Sequence, residues 1–243
     1  MLSANGLGKQ LDINGRTFEL IRSKRRSLGL ELSARGLKAR APLRMPEREI
    51  IAFIESKHAW IEKHLEGMVE RPALPELKLV DGALLQLRGQ NFNLMIEEGV
   101  RAKVRVQSNR IIVPVINSHT PLEHRVKSKL VKWYKEAAYH ELKIRARYYA
   151  NLMDVPLRRA DQIYVRDYRR RWGSCDSKGK LSFNWRILQA PTAVSDYVVV
   201  HELAHCHEFN HSKRFWGIVE KQMPDYRNHE DWLDQHGHAL YTF

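Results

Sequence analysis

Acidic residues, cysteines and long apolar runs are all scarce in this chain, and each shortage narrows what it can be. Two cysteines, Cys175 and Cys206, are too few for a disulfide framework and agree with a reducing compartment. No apolar run approaches the ~20 residues that span a bilayer, so no membrane partner is expected. The opening stretch, Met1 to Gln10, is polar and lacks the apolar core of a signal peptide, which makes the cytoplasm the expected location. Asp and Glu number 28 against 41 Lys and Arg, leaving a net charge of +13. The imbalance is local. Arg125 to Arg186 holds seventeen basic residues against six acidic ones, whereas Ile187 to the end holds four against eight. A basic middle followed by an acidic tail suggests an anionic partner, nucleic acid included, held by the 125–186 segment. The plainer explanation is a solvated surface of a basic protein.

What is present is enough apolar residue, 43% of 243, for a sizeable core. The pattern is α+β in three parts: 1–70, 76–160 and 161–243. In the first part, Ile13 to Pro42 reads as an antiparallel meander. Asn14-Gly15 is a turn, Arg16 to Ile21 and Leu28 to Leu32 alternate, and Pro42 ends the strand that starts at Leu37. Pro46 to Glu66 reads as an amphipathic helix with Ile50, Ile54, Trp60 and Ile61 among its apolar positions. After a linker at Arg71 to Pro75 the order recurs faintly. Gly89, Phe92 and Leu94 echo Gly15, Phe18 and Leu20, and a long basic helix from Pro121 to Leu152 echoes the first helix. Leu130, Trp133, Tyr134, Ala137, Leu142 and Ile144 are its candidate core positions.

In the third part, Asp161 to Arg166 and Leu181 to Leu188 read as strands of a hairpin carrying Arg169, Arg170 and Arg171. A helix follows from Pro191-Thr192, with Thr192 as its N-cap. That helix carries His201-Glu202-Leu203-Ala204-His205. Positions four apart share a helix face, so His201 and His205 can direct two imidazoles at one Zn²⁺ ion. Glu202 lies about 100° around the helix and can reach a metal-activated water without becoming a ligand. The helix cannot supply a third ligand by continuing straight, so it must stop. Asn210 is suited to a left-handed turn, and His211 follows it. The spacing is that of the extended metzincin motif, with Glu208 where that motif has glycine. A downstream carboxylate, Glu220 or Glu230, is the alternative third ligand.

Three neutral imidazoles leave zinc its full charge and one open position, which suits hydrolysis with Glu202 as general base. Arg171, Arg169 and Tyr226 are candidates to bind substrate and steady developing negative charge. The strand Leu181 to Leu188 offers a possible edge for an extended peptide. Cys206 reads as a small buried apolar residue, and His229, His236 and His238 as non-ligands.

Read together, Arg171-Trp172-Gly173-Ser174-Cys175, Asn184-Trp185-Arg186, Asp196 to His205, Asn210-His211-Ser212, Phe215-Trp216 and Met223-Pro224-Asp225-Tyr226 resemble the YgjP-like metallopeptidases. These are distant relatives of the SprT and WLM peptidases. The resemblance is dense from Tyr164 to Tyr226 and looser before it. It implies a zincin-like catalytic part, zinc held by His201, His205 and His211, and Glu202 as the catalytic carboxylate. It leaves the substrate open, a protein or peptide being one candidate. A zinc-dependent nucleotide pyrophosphatase activity, splitting UTP to UMP and pyrophosphate, is also attached to the family and would use a nucleoside triphosphate. A third possibility is a nucleic-acid-associated protein with a non-catalytic metal site.

Overall fold

The computed structural model describes residues 9–25, 27–33, 36–59, 61, 62, 65 and 76–243. They fall into two compact units, Met1–Ala73 and Leu74–Phe243.

The first unit is a four-stranded sheet with a helix. Its strands are β1 (Lys9–Ile13), β2 (Arg16–Ser23), β3 (Gly29–Ser33) and β4 (Gly36–Pro42), in the order β1-β2-β4-β3. Asn14 and Gly15 take φ of 50° and 73°, the pair of left-handed residues a tight hairpin needs. The expected antiparallel meander is corrected here. β2 pairs parallel with β4, placing Phe18 opposite Leu37 and Leu20 opposite Ala39. The reason is burial. Ala39 and Ala41 of β4 are wholly buried, while Leu30 and Leu32 of β3 are only partly so. The strand with the drier face takes the centre and β3 the edge. Helix α1 (Glu47–Ser56) buries Ile50 and Ile54 on this sheet. Lys57 interrupts the expected longer helix; His58, Ala59, Ile61, Glu62 and Leu65 are helical again, and Trp60 lies outside the described residues.

The second unit begins by repeating that topology. β5 (Leu84–Leu87), β6 (Gln90–Glu98), β7 (Arg105–Gln107) and β8 (Arg110–Val115) stand in the order β5-β6-β8-β7, again with the parallel pair in the middle. The same rule holds: every β7 side chain is exposed, whereas Ile111 to Val115 of β8 are buried. Helix α2 (Leu122–Leu152) follows Pro121. Its buried stripe is Val126, Leu130, Tyr134, Ala138, Leu142 and Ala146, one residue every four. Ile144, expected in the core, is 68% exposed, because it lies about 200° around the helix from Leu142. Trp133 and Ala137 are partly buried beside the stripe.

A short turn, α3 (Leu157–Ala160), leads to the sheet that carries the site. β9 (Ile163–Arg166), β10 (Gly173–Cys175) and β11 (Leu181–Asn184) are ordered β10-β11-β9. The expected hairpin between the first and last of these is corrected: β9 and β11 are parallel, and the hairpin partner of β11 is β10. β11 also stops at Asn184, where a 3₁₀ turn from Trp185 to Gln189 begins. Asn184 causes the stop. Its carbonyl oxygen accepts from the Arg186 N–H, and its amide donates to the carbonyls of Tyr168 and Arg171 and to the Tyr241 hydroxyl.

Helix α4 (Thr192–Ala204) comes next, then α5 (Lys213–Gln222), α6 (Tyr226–His236) and a 3₁₀ turn at Gly237–Tyr241. Pro191, without a side-chain bond, precedes α4; Thr192 is already its first helical residue rather than its cap. Val194 to Val200 of α4 are all buried. A largely apolar helix buried on most sides belongs in a core, and burial overrides the weak helix propensity of its valines. The second sheet, α2, α4 and the C-terminal turn share one hydrophobic core running from Leu79 to Phe243. Residues 76–160 and 161–243 are thus joined by packing. One polar tie fixes α4 against α2. Arg145 forms a two-pronged ion pair with buried Asp196, and the Tyr149 hydroxyl donates to the same carboxylate at 3.1 Å.

Candidate functional site

Tyr197, His201 and His205 follow one another at four-residue steps along α4, so all three face one side. α4 ends at Ala204, and His205 is the first residue beyond it. The chain then tightens: the N–H groups of His207 and Glu208 both bond to the Ala204 carbonyl. The left-handed turn expected at Asn210 is not used. Asn210 is absent from the positive-φ residues, and its side-chain oxygen instead accepts the Ser212 N–H at 3.0 Å. Ser212 in turn caps α5 by accepting the Phe215 N–H. Two side-chain bonds, accepted by Asn210 and Ser212, thus hold the turn.

This turn brings His211 back to α4. Ring centroids are 5.1 Å apart for His201–His205, 5.1 Å for His201–His211 and 4.8 Å for His205–His211. Phe215, fully buried, packs its ring within 5.0 Å of each of them and sets their spacing. One nitrogen from each imidazole lies within 4.8 Å of the others. Among the described residues this is the one group of three side chains able to hold a metal, and neither Glu220 nor Glu230 belongs to it.

The donors fit a metal ion. His201 Nε2 and His211 Nε2 stand 3.1 Å apart, close to the ~3.3 Å expected for two nitrogens on a tetrahedral zinc. His205 Nδ1 lies 3.1 Å from the Glu208 carbonyl, which turns Nε2 toward the cluster. Burial, then the neighbouring His205 and His211, push the His201 pKa down to about 3. Burial, then His205, also lowers that of His211. Neutral rings keep the lone pairs that coordination requires.

Glu202 points the other way from the cluster's Phe215 floor, toward β10. Only 5% of it is exposed. Burial pushes its carboxyl up to about 8, offset in part by Arg171 and by the N–H of Cys175. It reaches that N–H because Gly173 leaves room for it. Glu202 and His201 open onto a cavity of about 260 Å³ between β10, α4 and α6, with Arg171, Gly173 and Tyr197 in its walls.

The three substrate-binding candidates fare differently. Arg171 lines the cavity and lies over the Tyr168 ring at 5.0 Å. Arg169 is exposed and is not among the lining residues. Tyr226 is buried, stacks on Trp216 at 5.1 Å and accepts a bond from Arg227. The residue missed is Tyr197. Its ring meets His201 edge-on, and its hydroxyl is held protonated by burial and by Glu230, Tyr226, Asp234 and Glu202. Its place one turn before His201 was the available signal. The edge expected of the Leu181 strand belongs instead to β10, since β11 is flanked on both sides. Cys206 is half-buried, with its sulfur 3.9 Å from that of Cys175.

A family model described as YgjP-like, metallopeptidase domain, matches residues 26–236. The chain belongs to the YgjP-like family. The match begins after β2, takes in β3, β4 and every strand of the second unit, and ends with the last residue of α6. No curated protein and no solved structure matches this YgjP-like chain. No helix among its described residues is long and apolar enough to cross a membrane.

Proposed function

We propose that the chain is a zinc-dependent peptidase with a zincin-like centre, in which His201, His205 and His211 hold the ion and Glu202 is the general base. The observation that carries this reading is the convergence of three imidazoles beside a buried carboxylate. When bound, zinc supplies a Lewis acid that polarises a carbonyl and acidifies water. Glu202 takes the proton from the attacking water and delivers it to the leaving amine. Arg171 and the Tyr197 hydroxyl, both in the cavity wall, are donors for the oxygen that gains negative charge. An extended peptide lies along β10, whose outer edge is unpaired in its sheet and whose Gly173 abuts Glu202.

Cleavage of casein or a peptide library by zinc-loaded protein tests the reading, with Glu202→Gln and chelated protein as controls. Equal rates in all three would sink it. Pyrophosphate release from nucleoside triphosphates tests the pyrophosphatase alternative. That alternative has less support. Of the three hairpin arginines only Arg171 reaches the cavity wall, which also includes Glu230 and Asp234. Nucleic-acid binding has less support as well, since Arg145, Arg147 and Arg186 in the basic segment are engaged by Asp196, Asp161 and Asp167. Its test is salt dependence, steep for phosphate contacts and flat without them.

A further inference from the structure

The cavity beside Glu202 is lined by opposite chemistries on its two sides. Its β10 side carries Arg171, an exposed guanidinium resting on Tyr168. Its α6 side carries Glu230 and Asp234, one helical turn apart on one face, with Leu233 between them. Trp172, Val198 and Leu233 make the apolar part of the wall. Two carboxylates lining one small cavity stand out in a chain of net charge +13.

Size narrows the occupant. At about 260 Å³ the space falls below the ~300–1,000 Å³ of clefts that take a whole small ligand. One side chain or one chain terminus fills it. A flexible alkyl stem suits the Trp172 and Leu233 walls, and a positive head suits Glu230 and Asp234. A carboxylate or phosphate head would meet two like charges instead.

We propose that this cavity is a specificity subsite for a cationic group of the substrate, placed next to the bond that is cleaved. The group is an ammonium or guanidinium, from a lysine or arginine side chain or from the peptide's own α-amino end. The position follows from the shared wall: the residues that take the cation and the pair His201 and Glu202 line one space. This inference rests on the peptidase reading and names its substrate class.

The test separates the two. N-acetylated peptides carrying lysine, arginine, norleucine or glutamate beside the cleaved bond are compared with free-amine peptides lacking lysine and arginine. Zinc-loaded protein is expected to favour lysine over norleucine by about tenfold in kcat/KM. That ratio should fall toward one in the double variant Glu230→Gln, Asp234→Asn. Preference for the free-amine peptides over their acetylated forms assigns the cation to the α-amino group. A second measurement does not need turnover. Calorimetric titration of the Glu202→Gln protein with the acetylated peptides should show lysine binding tighter than norleucine, and the gap should close when Glu230 and Asp234 are replaced. If no peptide is cleaved while this gap is seen, the peptidase reading falls and the cationic site stands. Cleavage indifferent to charge, or a binding gap untouched by the two replacements, overturns the subsite.

Discussion

A Cβ added to Gly173 would lie 2.5 Å from Oε1 and 2.6 Å from Cγ of Glu202, closer than any real Cβ contact. The strand edge and the buried carboxylate are therefore fitted to each other. Gly173→Ala must push Glu202 aside or lift β10. Displacing a catalytic group by about 1 Å costs on the order of a hundredfold in rate. Peptidase activity is expected to fall by about that factor while zinc content and the circular dichroism spectrum stay as they are. Loss of zinc with the activity would instead show that the turn, not the carboxylate, had moved.

His211 is the proposed ligand that only the chain reversal brings to the cluster. His211→Ala leaves two imidazoles on one helix, so zinc stoichiometry after dialysis should drop from about one per chain to near zero. Chelation should lower the melting temperature of the parent protein, since an ion present at ~100 times its Kd stabilises by about 2.7 kcal/mol. The variant's melting temperature should not respond to chelator. Plasma emission spectrometry and thermal melts check both points.

Asp196 is 5% exposed and takes its charge neutralisation from Arg145, whose side chain keeps 32% of its surface in water. Arg145→Met leaves the carboxylate buried with only the Tyr149 hydroxyl. A loss of about 2–3 kcal/mol is expected, less than the ~3–5 kcal/mol for a fully buried pair because the guanidinium is partly wet. Urea unfolding measures it. The double replacement Arg145→Met, Asp196→Leu should recover much of the loss.

Acid should weaken the tie between Asp167 and Arg186. Burial alone would raise the Asp167 pKa, but the bond from Arg186 and the charges of Arg186 and Lys135 outweigh it and hold the carboxyl below its usual range. Arg186 is held there between the Trp185 and Tyr241 rings at 4.3 and 4.8 Å. A depressed carboxylate pKa stabilises the fold above the unfolded value of 3.8 and loses that stabilisation as pH falls through the folded value. Asp167→Asn should therefore melt below the parent at pH 6, and the gap should narrow once the pH drops under about 4. A gap of constant width down to pH 2 would remove the ion pair from the account.

How far the sequence could be read depended on the range of the interaction. His201, His205 and Glu202 are legible because one helix fixes their spacing. Long α2 is legible from its period. The central strands are not. β4 and β8 insert beside β2 and β6 because their inner faces are driest, and that comparison needs all four strands at once. Ile144 fails for a related reason: an apolar residue was counted without asking which side of α2 the sheet would cover. Tyr197 sits one turn from His201, but only the fold brings α6 and its carboxylates to the hydroxyl.

Local rules along the chain were enough to put His201, His205 and Glu202 on one helix and to call for a reversal before His211, since each rests on contacts within about a dozen residues. Folding alone decided the rest. It seated Gly173 against Glu202, set Arg171 rather than Arg169 in the cavity, and carried Glu230 and Asp234 to the same space from α6. Those neighbours are brought together by burial of a shared core, a sum over the whole second unit that no short stretch of sequence expresses.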